Sequence, residues 1–250
     1  MAVKIGITNQ KGGVGKTTLT FHLAHLFSKN GKRVLLVDMD PQGNLTSCFI
    51  KELPEKSNVK IMFEEKVPEP ARINENLSII GSDITLSKYE ADAKLTNFFK
   101  LKNLLEQENK GEDIILIDTP PSLGLFTSNV LIASDYVLIP IDISRFSLLG
   151  LSDLLDSLES VKESTGSPIN ILGIVFTIAS ERLNYYKEIK DEIRNKYGNL
   201  LFDTAIPESV RVKEAIGNGK PIFDMYPDHK ASLAYKKLFK EMEARLNANG

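Results

Sequence analysis

Residues 3 to 27 pass from a short apolar segment, Val3-Lys4-Ile5-Gly6-Ile7-Thr8-Asn9, through Lys11-Gly12-Gly13-Val14-Gly15-Lys16-Thr17-Thr18 into a stretch with helical spacing, Leu19 to Phe27. That order restricts the fold, because a β-branched strand between helices needs a parallel sheet to bury both of its faces. The chain is therefore expected to be α/β: a three-layer, doubly wound, mostly parallel sheet with helices on both faces. The loop restricts the chemistry as well. Glycines 12, 13 and 15 let the backbone turn its N–H groups inward on a polyphosphate, and the following helix adds the positive end of its dipole. Lys16 is then placed on the β- and γ-phosphates of a nucleoside triphosphate, the Thr17 hydroxyl on magnesium, and Thr18 closes the nucleotide-binding run. The ordinary motif has glycine where this chain has Gln10, and beside it Lys11 supplies a second cation aimed at the same phosphates.

Two more apolar segments end in acids. Arg33 to Asp38 leads into Met39-Asp40-Pro41-Gln42-Gly43-Asn44, and Ile114 to Asp118 leads into Thr119-Pro120-Pro121-Ser122. Open parallel sheets bind ligands at the carboxyl ends of their strands, so Asp40 and Asp118 are delivered to the rim that carries the glycine loop. An acid there can hold magnesium directly or through water, and Asp118 joins Thr17 as the expected metal site. Further strands are expected at Leu77 to Gly81, Tyr136 to Ile141, Ile171 to Thr177 and Leu201 to Ile206. Helices are expected near 83 to 93, 96 to 109, 147 to 164, 183 to 197 and 229 to 247. The charged stretch from Lys51 to Asn76 contains Pro54, Pro68 and Pro70 and has no clean period.

The 250 residues read as a single α/β domain spanning 1–250, and no run of about 18 apolar residues suggests a membrane span. The first strand follows the N-terminus with no cationic lead or cleavable apolar region, so a cytoplasmic protein is expected. A formal net charge of -2 gives no global attraction for a polyanion, so any nucleic-acid contact must come from a local patch. Cys48, the one cysteine, reads as a small, partly buried residue. His22 and His25 lie three apart on the first helix without an evident third metal ligand, which favours a packing role; His229 is expected at the surface where the last helix begins.

The runs KGGVGKTT, VDMDPQGN and IDTPPSLG, and the late IPESVRVKEAIGNGKPI followed by Tyr235 and Leu238, closely resemble the ParA family of partition ATPases in its Soj-like form. The resemblance extends from about residue 3 to about residue 245, within the deviant P-loop group that also holds MinD and the nitrogenase iron protein. A single cysteine disfavours the iron–sulfur member. The resemblance implies ATP as substrate with Mg2+, and a homodimer formed around two ATP molecules. It further implies that Lys11 reaches the partner's nucleotide, that Asp40 orients the attacking water, and that Asp118 to Gly124 forms a second switch. Pro207 and Ser209 match the residues that contact adenine, Ser209 standing where the family has an asparagine; Thr177 is a further candidate on the same rim. Arg182 and Arg211 match a surface for non-specific double-stranded DNA, with acids interleaved around them. A ParB-type centromere-binding protein is the implied partner, with nucleoid association in the ATP state and no membrane binding. The glycine loop starts too early for the helix-turn-helix extension that some relatives carry. Two alternatives stay open: a MinD-like positioning ATPase on a membrane, and ParA-like positioning of a protein cargo.

Overall fold

The computed structural model describes residues 2–92, 94–107, 111–179 and 184–249, with side chains for all of these but 145–149, 184 and 249. The chain begins with β1 (Val3–Ile7), α1 (Lys16–Lys29), β2 (Val34–Asp38) and α2 (Asn44–Phe49). It continues through β3 (Ala71–Arg72), β4 (Leu77–Ile80), α3 (Lys100–Gln107), β5 (Ile114–Asp118), α4 (Leu125–Ala133) and β6 (Tyr136–Ile141). The last part holds α5 (Arg145–Thr165), β7 (Asn170–Phe176), α6 (Asn184–Tyr197), α7 (Val210–Gly217), α8 (Ile222–Met225) and α9 (Lys230–Asn249). One seven-stranded sheet runs β3-β4-β2-β5-β1-β6-β7, and every pairing is parallel except that of β3 with β4.

Alternation along the central strands builds three layers. Val34, Leu36, Ile114 and Leu116 pack on one face with α1, α7, α8 and α9. Leu35, Val37, Ile115 and Ile117 pack on the other with α3 and α4, and Val137, Ile139 and Ile174 extend that side under α5 and α6. Each side chain taken fully out of water stabilises by roughly 1.5–3 kcal/mol, which is why β2 and β5 are apolar at nearly every position. The same alternation puts Asp38 with Val34 and Leu36, and Asp118 with Ile114 and Leu116, on the α1 face.

Four expectations are corrected. Leu201 to Ile206 is not a ladder strand: only single bridges join Leu201 to Ile174 and Pro207 to Ala179. Glu241 of α9 captures the backbone N–H groups of Asp203 and Thr204, at 3.0 and 3.4 Å, and interrupts the pairing. The helix expected at 83–93 is a 3-10 turn, Ile84–Tyr89, begun by Asp83 accepting the Thr85 N–H. The helix expected at 96–109 starts as another 3-10 turn, Leu95–Phe99, and becomes α-helical only at Lys100. Asn129 explains that junction, donating to the Asn97 carbonyl and accepting the Leu101 N–H. His229 is half-buried rather than exposed, its Nδ1 accepting the Ala231 N–H at the start of α9. The unperiodic 51–76 stretch folds as two 3-10 turns and β3, anchored through Val59 and Met62.

His22 and His25 do pack. His22 is fully buried and stacks on Tyr235 at 4.2 Å. Its Nε2 accepts the Ile222 N–H at 3.2 Å, so Nδ1 carries the hydrogen and donates it to the Thr18 carbonyl at 2.7 Å. Burial holds this imidazole neutral, with its pKa down to about 4 from 6.5. Because the unfolded chain binds the proton more tightly, His22 costs nothing above pH 6.5 and lowers stability as pH falls from there towards 4, by about 3 kcal/mol in all. His22→Gln, which keeps a donor and an acceptor but cannot titrate, is expected to be the less stable protein at pH 7. Denaturant unfolding should show that gap narrowing by about 3 kcal/mol by pH 4; parallel pH profiles would refute the assignment.

Candidate nucleotide site

At the carboxyl ends of β1, β2 and β5 lies a cavity of about 580 Å3. Gly12, Gly13, Gly15, Lys16, Thr17 and Thr18 line one side, Asp40 stands beside them, and Pro207, Ser209, Ile178, Val212 and Tyr235 line the rest. Gly15 begins α1 in the left-handed region, with φ 82°, a conformation that a side chain would strain. It aims the first turn of α1 at the cavity.

Lys16 is buried, and its Nζ donates to the Lys11 carbonyl at 3.3 Å. Burial lowers its pKa, while Asp118 and Asp40 oppose that shift. Thr17 Oγ1 donates to Asp118 Oδ2 at 2.6 Å. Asp118 itself is fully buried behind Thr17, so it orients a hydroxyl whose lone pairs remain for a cation. Removal from water, reinforced by the neighbouring Asp38, holds the Asp118 carboxyl well above the ordinary carboxylate range.

Asp38 belongs to the site as well, although the sequence marks it only as a strand end. It lies across the β2–β5 ladder from Asp118 and is equally buried. One carboxylate oxygen accepts the Asp40 N–H at 3.1 Å; the other accepts the Thr46 N–H at 2.9 Å and the Thr46 hydroxyl at 2.8 Å. Burial raises its pKa to about 6, against those three hydrogen bonds. Thr46 in turn accepts the Ser82 N–H at 2.8 Å, and Gly43, with φ 60°, passes so close that a Cβ would sit 2.6 Å from the Ser82 carbonyl oxygen. The Asp40 turn is thereby fastened to the ends of β2 and β4. The two-residue spacing of Asp38 and Asp40 was the available signal, since period two returns them to one face.

Asp38, Asp40 and Asp118 outnumber the one buried cation among them, Lys16. A divalent ion would redress that imbalance. Among the described residues no three His, Cys, Asp or Glu side chains form a metal site; the residues that would hold magnesium are Thr17 and, behind it, Asp118.

The other expected residues divide. Thr177 lines the cavity, its hydroxyl donating to the Val14 carbonyl at 2.5 Å, which ties β7 to the glycine loop. Ser209 lines it too, but its Oγ accepts the Arg211 N–H at 3.1 Å, so one of its lone pairs is committed to starting α7. Lys11 is turned out of the cavity, with Nζ 2.5 Å from Asp142 Oδ2. Arg211 lies outside the cavity on the exposed side of α7, donating to Glu214 Oε2 at 2.7 Å over the ring of Tyr226. Arg182 lies outside the described residues. Cys48 is half-buried at the cavity edge, its thiol pKa raised to about 11 by burial. No helix among the described residues is long and apolar enough to cross a membrane, and the apolar side of α9, with Tyr235, Leu238 and Met242, packs on the sheet and α1.

Comparison with known proteins agrees with this geometry. Residues 2–171 match the family model described as an AAA domain. The chain is 37% identical over 250 residues to the sporulation initiation inhibitor protein Soj of Bacillus subtilis (strain 168), covering 96% of this chain and 98% of that one. It is 35% identical over 250 residues to the chromosome partitioning protein ParA of Caulobacter vibrioides (strain NA1000 / CB15N), covering 96% and 94%. Among solved structures, cobyrinic acid a,c-diamide synthase from Mycobacterium smegmatis, with bound ATP analog and magnesium, superposes with a TM-score of 0.85. That match is 25% identical and covers 100% of this chain and 97% of the other.

Proposed function

The chain belongs to the ParA family of partition ATPases, and from that premise we propose that it is an ATP-dependent DNA-segregation switch. ATP and magnesium fill the cavity, two subunits close around two nucleotides, the dimer holds DNA without regard to sequence, and hydrolysis stimulated by a ParB-type protein releases it. The observation that carries this reading is the meeting of Lys16, Thr17 and Asp40 at one cavity, with Asp118 behind Thr17 and an unbalanced surplus of carboxylate charge.

Phosphoryl transfer to water needs an in-line nucleophile and cations on the developing charge. Lys16 and the N–H groups of the glycine loop neutralise the transferring group. The Thr17 hydroxyl, oriented by Asp118, would hold magnesium, which would supply positive charge against the charge developing on the phosphates. Asp40, steadied through its backbone by Asp38, turns the attacking water. Pro207 and the apolar wall take the base, and Ser209 contributes its hydroxyl hydrogen. Lys11 acts on the partner's nucleotide.

DNA is taken by Arg211, exposed on α7, together with Arg182. The ion pair of Arg211 with Glu214 is exposed and screened by solvent, so a phosphate can displace the carboxylate. Doubling a weak patch by dimerisation makes the affinity depend on ATP. The test is a titration of unrelated DNA duplexes of equal length with ATP, with ADP and without nucleotide, over a salt series. Binding confined to ATP is expected, alike for all sequences, and falling log-linearly with salt. Arg211→Glu and Arg182→Glu should each weaken it by at least about tenfold, through lost attraction and new repulsion. Equal binding in all three nucleotide states would sink the switch and favour MinD-like positioning on a membrane.

A further inference from the structure

Lys11 is expected to act away from its own subunit, yet its side chain is held within it. The hold follows from strand register. β1 and β6 pair in parallel, Ile5 with Tyr136 and Ile7 with Leu138, a constant offset of 131 residues. The offset persists beyond the ladder: Asn9 Nδ2 donates to the Pro140 carbonyl at 2.7 Å, and Lys11 Nζ meets Asp142 Oδ2. Asn9 also fixes the backbone here, its Oδ1 accepting the Lys11 N–H at 2.9 Å. The ammonium lies 2.5 Å from Asp142 Oδ2 and 3.0 Å from Ser144 Oγ, and Ser144 donates to the other Asp142 oxygen at 3.1 Å. Two of the three N–H donors and the local charge of Lys11 are spent in this cradle. A compact charge held so closely by a carboxylate is not free to neutralise a phosphate elsewhere.

We infer that Asp142, with Ser144, is a positioning residue that latches Lys11 inside the separate subunit, so that dimer formation must transfer this ammonium from the carboxylate to the partner's nucleotide. The inference rests on the proposed ATP-driven dimer. Both side chains of the pair are partly exposed, 39% for Lys11 and 27% for Asp142, so solvent screens the attraction and the latch sets a threshold rather than a block.

Asp142→Asn keeps the shape and removes the charge. With ATP and magnesium it should dimerise at a several-fold lower protein concentration than the wild type, as read by light scattering; Asp142→Glu should restore the threshold. In a Lys11→Ala background the same Asn substitution should change nothing, because Asp142 acts only through Lys11. A second readout needs no dimer: in nucleotide-free protein, amine acylation followed by mass spectrometry should show Lys11 reacting several-fold faster in Asp142→Asn. Wild-type protein that dimerises while Asp142→Asn leaves both threshold and acylation unchanged would overturn the latch alone. So would an equal shift of threshold in the Lys11→Ala background. Wild-type protein that stays monomeric with ATP would overturn the dimer reading and the latch with it.

Discussion

Lys16→Ala is expected to weaken binding of a fluorescent ATP analogue by at least about 100-fold, roughly 3 kcal/mol, since a charge-assisted contact on phosphate would be lost in a shielded site. The surroundings make the loss larger than for a surface lysine. Lys16 is buried at the head of α1, and it is the cation that Asp118 and Asp40 face. Without it, Asp40 at the cavity wall faces the triphosphate with no opposing lysine, and Asp118 and Asp38 lie buried behind, so bringing in the ligand becomes repulsive as well as unassisted. The glycine loop should survive, because its turn is fixed by backbone conformation and by Thr177 donating to the Val14 carbonyl. Equilibrium titration with the analogue and magnesium decides the matter: affinity near the wild type would remove Lys16 from the phosphates.

The second large effect is expected at Asp40. Asp40→Ala should bind ATP about as well as the wild type but hydrolyse it on the order of 10²–10⁴-fold more slowly, leaving a long-lived dimer. The separation of binding from turnover follows from how the turn is held. Asp38 accepts the backbone N–H of residue 40, and Thr46 and Gly43 fasten the rest to Ser82, so none of these contacts needs the Asp40 carboxylate. One local bond disappears, the Gln42 N–H to Asp40 Oδ1 at 2.9 Å. Light scattering should report doubled mass persisting with ATP and magnesium, while a phosphate-release assay stays near background. A variant that hydrolyses at the normal rate, or remains monomeric, would end the proposed role.

What is legible along the chain depends on whether its signal is local. The glycine loop was legible because its neighbours in sequence are its neighbours in space: β1, the turn and α1 are consecutive, and left-handed Gly15 can be anticipated from the spacing alone. The strands ending in Asp38 and Asp118 were legible for a similar reason, being short, apolar on both faces and followed by turn residues. By contrast, α4 was missed, because Leu125 to Ala133 is buried nearly all round and an apolar run without a polar face has no helical period to detect. The false strand at 201–206 had the right residues, but Glu241, some 38 positions away, took its backbone donors.

The sequence by itself determined the doubly wound sheet, the nucleotide loop with Lys16 and Thr17, and the family, since each depends on propensity, turn chemistry and spacing within a few tens of residues. The tertiary structure alone decided which groups touch. It placed Asp38 beside Asp118 across two strands 80 residues apart in the chain, and with it the charge imbalance that suits a divalent ion. It also turned Lys11 away from the cavity onto Asp142, 131 residues distant. Such pairs are set by strand order and register, and register is fixed by the burial of whole strands against helices, which no window along the chain contains.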